Sequence, residues 1–478
     1  MQHQFRKTAL LASLLSASLV ISGCSDNDDN DDTQANNAQV RIIHASADAP
    51  AVNIKLDGMV AIGDLDYAES TGFAEIPAGV TDVAVEAIIP GANLDVLEVP
   101  DFDFATDGQY TIIAVGETAS IDTLLVSDSS ATPSASEVAV TVVHAATAAD
   151  EVDVYVTAAD TVLDNSVDAT FSFDFEGAVD AGALPAGTYR IRVTAPDNKT
   201  PVYDSGAVDL TPFTGQKLLI TAINTVNATQ QDASPIKLLV ATADNSLVLL
   251  DADTEVGARV VHLSPDAATA AAGPVEVFAS SSALGVDPVE LIDAFAYTDI
   301  VPAGGNSYVN VPGGDYVFDV APNTDSIGDS VYTSASLSLA AGNEYSVIAS
   351  GYVATTPAFG LLATADDNRS IATQASVKVV HAAPAATSVD VYVTPAGNFN
   401  NTEVESGMAG DPLLEDFTYA TITDYVAVAE GDYDIRVVFN GSVAISDTYT
   451  LSAGNVYTVI AHQPGDGVND FGFVVLTN

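Results

Sequence analysis

Arg41-Ile42-Ile43-His44-Ala45 is a phrase that returns as Thr141-Val142-Val143-His144-Ala145, Arg259-Val260-Val261-His262-Leu263 and Lys378-Val379-Val380-His381-Ala382. Four of the six histidines therefore occupy one position of a repeat. These histidines are 100, 118 and 119 residues apart and 97 residues follow the last, a domain-sized period longer than a propeller blade or a solenoid coil. Around each phrase, apolar positions alternate in runs of Val, Ile, Thr, Tyr and Phe broken by Gly, Pro, Asp and Asn, and no helical period follows residue 24. The chain reads as all-β, with four tandem immunoglobulin-like (or transthyretin-like) antiparallel β-sandwiches. Repeat 1 is expected over residues 40–128, repeat 2 over 138–244, repeat 3 over 257–366 and repeat 4 over 376–478. Four such globules end to end would extend on the order of 130 Å.

The clearest strand follows a turn: Pro185-Ala-Gly-Thr-Tyr189 in repeat 2, Pro312-Gly-Gly-Asp-Tyr316 in repeat 3 and Ala429-Glu-Gly-Asp-Tyr433 in repeat 4. Period two puts Tyr189, Ile191 and Val193 on one face and Arg190 and Arg192 on the other. A later strand opens at Tyr110, Tyr345 and Tyr457, each after a Gly-containing turn, and predicts a tyrosine corner whose phenol bonds back to that turn. Repeat 2 departs from this, with Leu218 in place of the tyrosine.

The N-terminal residues suggest export. Arg6 and Lys7 precede an uncharged stretch from Thr8 to Gly23 that ends at Cys24, the only cysteine. This is the layout of a secretory signal, too short and wrongly flanked for a membrane span. Leu19-Val20-Ile21-Ser22-Gly23-Cys24 resembles the bacterial lipobox, which implies a lipoprotein signal peptide over residues 1–23 and a lipid on Cys24. Ser25, where aspartate would favour inner-membrane retention, implies the outer membrane. Residues 24–39 have no large apolar side chain and are expected to form a disordered acidic tether of at most ~50 Å.

There are 65 acidic residues against 13 basic, giving a formal charge of -52, while 48% of residues are hydrophobic. The core is ample and the charge must lie outside. Such a surface repels nucleic acid, which is excluded as a partner, and it suits a saline, marine or halophilic habitat where salt screens self-repulsion.

The opening strands, together with Val152-Asp-Val-Tyr-Val156 and Val389-Asp-Val-Tyr-Val393, resemble a bacterial family known only as domain of unknown function 4397, found in tandem in exported proteins. The resemblance covers nearly all of residues 39 to 478. It implies a fold and a compartment, and it brings no catalytic residues.

The repeated His44, His144, His262 and His381 perform one task in four copies. Nine positions later stand Asn53, Asp153 and Asp390, and fourteen later, in repeat 3, Glu276. If the two strands form a hairpin, His144 and Asp153 become cross-strand neighbours that fix it. Zinc would need three or four ligands, and each repeat offers one repeated histidine and no cysteine, so no metal is assigned there. At the junctions, Asp244, Asp251, Asp253, Asp366 and Asp367 could supply oxygen ligands, which makes calcium the one cofactor considered, although solvated linkers explain these clusters without it. Gly328-Asp329-Ser330-Val331 resembles an esterase nucleophile block, but it aligns with Tyr203-Asp204-Ser205 and Ser446-Asp447-Thr448 as a strand entrance. No GxSxG, HExxH, GxGxxG or P-loop is present. No catalytic residue is assigned. The sequence points to a non-enzymatic, lipid-anchored envelope protein facing the periplasm or the cell surface. It would act as a binding, adhesion or spacer module, with the membrane and an envelope or extracellular ligand as partners. A glycan- or polymer-binding lipoprotein using sandwich loops is the alternative, and a hydrolase a remoter one.

Overall fold

In the computed structural model, residues 37–128, 131–226, 234–468 and 470–477 are described. The signal, Cys24 and most of the tether lie outside them. The expected all-β, sandwich-like architecture is present: eight β-sheets, two in each repeat, with the apolar residues of each pair facing each other. In repeat 1 one sheet runs Ala74–Pro77, Asn37–His44, Gln109–Val115, Asp122–Ser127, and the other runs Met59–Leu65, Val52–Leu56, Gly79–Ala87, Leu94–Phe104. The same order recurs in the other repeats, with an extra strand, Ser246–Leu249, at the end of repeat 2's first sheet. The first strand begins at Asn37, three residues before the expected start of repeat 1.

The sheets are antiparallel with one exception per repeat. The histidine strand pairs in parallel with the strand entered through the tyrosine corner, and the register sets His44 opposite Ala114, His144 opposite Ala222, His262 opposite Ala349 and His381 opposite Ala461. Alanine leaves room for the imidazole beside it. The tyrosine corners form as expected, with the Ala105, Ala340 and Ser452 N–H groups donating to the phenols of Tyr110, Tyr345 and Tyr457 at 3.0–3.2 Å. A second set closes the preceding turn, where Tyr189, Tyr316 and Tyr433 donate to the carbonyls of Pro185, Pro312 and Ala429 at 2.7–3.1 Å.

The doubled apolar residues of the phrase have a physical cause. Ile42, Val142, Val260 and Val379 face the interiors of their own sandwiches. Their neighbours Ile43 and Val143 meet in a second core shared by repeats 1 and 2, and Val261 and Val380 meet in another shared by repeats 3 and 4. The histidine sheets of paired repeats stack face to face, so these strands are covered on both sides, which is why they read as continuous apolar runs. The repeats of each pair therefore do not follow one another end to end as separate globules. Nor are the junctions solvated linkers. Residues 244–256 include Ser246–Leu249, paired with Ile236–Ala241, and Asp366 and Arg369 are buried. Among the described residues no helix is long and apolar enough to cross a membrane.

Candidate functional site: the histidine corners and the joints between repeats

Each repeated histidine lies at the end of its strand or, for His262, one residue before it, is at most 1% exposed, and is tied to a corner that comes back from the facing sheet. The backbone N–H groups of His44, His144, His262 and His381 donate to the carbonyls of Glu69, Gly177, Asp299 and Thr421 at 2.9–3.1 Å. Their own carbonyls accept from Ala68, Glu176, Thr298 and Ala420 at 2.7–2.9 Å. Those four donors all have left-handed backbone, φ 63 to 70°. An L residue rarely adopts this conformation without compensation, and here the two backbone bonds to the histidine provide it.

The rings are enclosed in the same way. Tyr67, Phe175, Tyr297 and Tyr419 stand edge-on to the four imidazoles with centroids 6.1–6.3 Å apart and planes at 86–89°. Two residues earlier Phe173, Phe295 and Phe417 flank the ring in repeats 2, 3 and 4, where repeat 1 has Leu65. The Ala146, Ser264 and Ala383 N–H groups donate to Nδ1 of His144, His262 and His381 at 3.3–3.4 Å, which fixes the neutral ring with its proton on Nε2. In repeat 1, His44 Nε2 donates to the Pro50 carbonyl at 3.0 Å. Burial depresses all four, His262 to about 4. A neutral imidazole closed off from solvent has no substrate to serve as base or acid.

His144 and Asp153 do not meet. Glu137–His144 and Glu151–Ala158 lie in opposite sheets, because the opening strand takes its partners from the end of the repeat and from the corner rather than from the next strand. The residues nine positions on serve the edge strands instead. Asn53 and Asp390 accept the N–H groups of Asp64 and Asp416 at 3.1 and 2.9 Å, both left-handed residues on bulged neighbours. Asp153 accepts from Ser172 at 2.5 Å and from the Asp197 N–H at 3.2 Å. Buried Glu276 gathers the N–H groups of Thr324, Asp325 and Ser326 at 3.1–3.3 Å. With Glu290 and Asp325 it forms the one carboxylate group among the described residues compact enough to surround an ion. Glu290, itself exposed, is raised from the ordinary glutamate value by partial desolvation and by the carboxylates of Glu276, Asp293 and Asp325.

The residue three before each histidine, unassigned from the sequence, lies in the joint. Arg41 donates to Thr111 Oγ1 at 2.8 Å and across to the Thr242 carbonyl of repeat 2 at 2.7 Å, beneath Phe73 at 4.7 Å. Burial lowers its guanidinium to about 10. Its counterpart Arg259 is fully buried, donating to Ser346 at 2.7 Å, to the Gly305 carbonyl at 2.6 Å and to Asp366 at 3.0 Å, against the Tyr308 ring at 4.7 Å. Lys378 of repeat 4 approaches the same carboxylate to 3.8 Å. Asp366, a calcium candidate by sequence, thus balances two buried cations. Of the other junction carboxylates, Asp251 accepts the N–H groups of Asp204 and Asp253 at 2.7 and 2.9 Å, and Asp367 accepts that of Arg369 at 3.1 Å. Asp244 and Asp253 are exposed. Corner tyrosines also cross the joints: Tyr297 donates to the Gln463 carbonyl at 2.6 Å, and Tyr419 meets Ser350 at 3.1 Å. Arg369, from the last junction, donates to the Ala49 carbonyl at 2.9 Å and pairs with Asp66 beside His44's corner.

None of the eleven lysines and arginines from Arg41 onward is exposed. Arg41, Arg192, Arg259, Arg369, Lys378 and Arg436 are buried, and the more open Arg190 is held by both oxygens of Asp204 at 2.7 Å. The charged exterior of the described residues is therefore acidic throughout.

The model of the family described as "Domain of unknown function (DUF4397)" matches residues 38–155, 258–392 and 398–478. No curated protein matches the sequence. Among solved structures, the Bacillus anthracis TIE protein is 11% identical with a TM-score of 0.14, and the match covers 86% of this chain and 65% of that one. A candidate cell adhesion protein from Bacteroides ovatus ATCC 8483 is 13% identical with a TM-score of 0.17 over 48% of this chain and 95% of its own. A similar one from Bacteroides fragilis NCTC 9343 is 12% identical, with a TM-score of 0.12 over 46% and 97%.

Proposed function

This chain belongs to the family described as a domain of unknown function (DUF4397), and from that premise we propose a non-catalytic module of the cell envelope, lipid-anchored at Cys24 in the outer membrane and serving in binding, adhesion or spacing. One observation carries the non-catalytic reading. The histidines that recur in all four repeats, the side chains first suspected of chemistry, are neutral, enclosed and committed to backbone and aromatic contacts inside the molecule. What remains for function is the exterior, whose charge is acidic and suits a saline medium. The lipobox-like run supports the anchor, with the acidic residues after it as a spacer from the headgroups.

Cys24→Ser tests the anchor. The variant is expected to leave the outer-membrane fraction and to appear in the soluble envelope fraction or the medium, and its retention in the outer membrane would overturn the reading.

A further inference from the structure

Repeat 2 differs from repeat 3 in the middle of its sandwich. A cavity of about 100 Å³ lies between its sheets, walled by Val154, Ile191, Ile220 and Leu238 and reaching the half-buried Phe171 and Ala181 at the sheet edge. The equivalent gap in repeat 3 is about 20 Å³. Such a space among apolar side chains offers water no partners and stays dry, but it accommodates a hydrocarbon.

Two differences in the chain produce it. Relative to the alanine opposite the histidine, the closing strand carries Ile236 and Leu238 in repeat 2, Phe359 and Leu361 in repeat 3, and Phe471 and Phe473 in repeat 4. Repeat 3 adds Phe318 where repeat 2 has Ile191. Repeat 2 therefore lacks the rings that fill these positions in repeats 3 and 4. Its edge is also short. Phe171–Asp174 pairs only with Glu151 to Val154, leaving Val156 beyond the end of the ladder, whereas in repeat 3 Val286–Phe295 follows its neighbour from Val275 to Ser281. Repeat 4 has a similarly short edge strand, but its phenylalanines occupy the interior.

We propose that repeat 2 is a binding site for a small hydrocarbon, a single ring or a short alkyl chain, admitted at the edge beside Phe171 and Ala181. This goes beyond the envelope role and does not depend on how the protein is anchored. The test uses the whole chain with labelled Ile, Leu and Val methyl groups, titrated separately with toluene and with 1-octanol. Saturable shifts are expected at Val154, Ile191 and Leu238 and not at their counterparts in repeat 3. Leu238→Phe, which copies repeat 4, should weaken binding at least tenfold while the rest of the spectrum is kept. If that variant does not fold, Ile191→Phe, which copies repeat 3, takes its place. Binding of toluene alone would mark a compact ligand, and of octanol alone a chain, both within the proposal. No saturable shift with either probe up to its solubility, or binding undiminished in the filled variant, would overturn it.

Discussion

His262 shows why a histidine kept in four copies need not be a catalyst. Its ring is pressed between Phe295 and Tyr297 and its Nδ1 accepts a backbone N–H, so the folded protein strongly prefers the neutral form. Burial holds it at about 4, against 6.5 in an open chain. Between those values the unfolded chain binds the extra proton, so this residue's stabilisation is complete above pH 6.5 and is lost as pH falls toward 4, by on the order of 3 kcal/mol. Denaturant unfolding of His262→Gln at pH 7 and pH 4.5 is expected to show a smaller acid loss than the unaltered protein. An equal loss in both would mean that this imidazole is not held neutral. The repetition was legible in the sequence, but the partner was not. Asp153 and Asp390 looked like companions by spacing alone, whereas the actual clasp comes from Phe-x-Tyr or Phe-x-Phe segments after variable loops, visible only once Phe173-Asp-Phe175, Phe295-Ala-Tyr297 and Phe417-Thr-Tyr419 are aligned.

Strands carry two messages at once when both faces are covered. The tyrosine corners and the inward set Tyr189, Ile191 and Val193 followed from turn residues and period two. In contrast, the second buried face behind the doubling in Ile42-Ile43 and Val260-Val261, and the charges of Arg259 and Lys378 enclosed within it, emerged only from the structure. Asp366 resembled a calcium ligand because an acidic chain offers carboxylates everywhere, and its true task depends on two basic residues 107 and 12 positions away. Removing one member of a buried ionic set leaves desolvated charge behind, and Asp366→Ala is expected to destabilise by about 3 to 5 kcal/mol. Thermal or denaturant unfolding checks this, and a loss under ~1 kcal/mol would mean that the carboxylate does not balance the joint.

At the scale of the molecule the stable unit should be the pair of repeats. Residues 37–250 and 256–478 each contain two histidine sheets with their apolar faces against each other, whereas residues 37–128 alone would expose Ile43, Ile113 and Val115. Expressed separately, the two halves are expected to be monomeric and to unfold cooperatively, and the single repeat to aggregate or dimerise. A monomeric, cooperatively folding 37–128 would contradict the shared core. The stacked joint also limits how such a chain can grow. A gene that gained or lost one repeat would encode a protein with an odd sheet left bare, sticky toward its own copies. Duplications that persist should therefore add repeats in twos, and chain lengths among such proteins should favour even copy numbers.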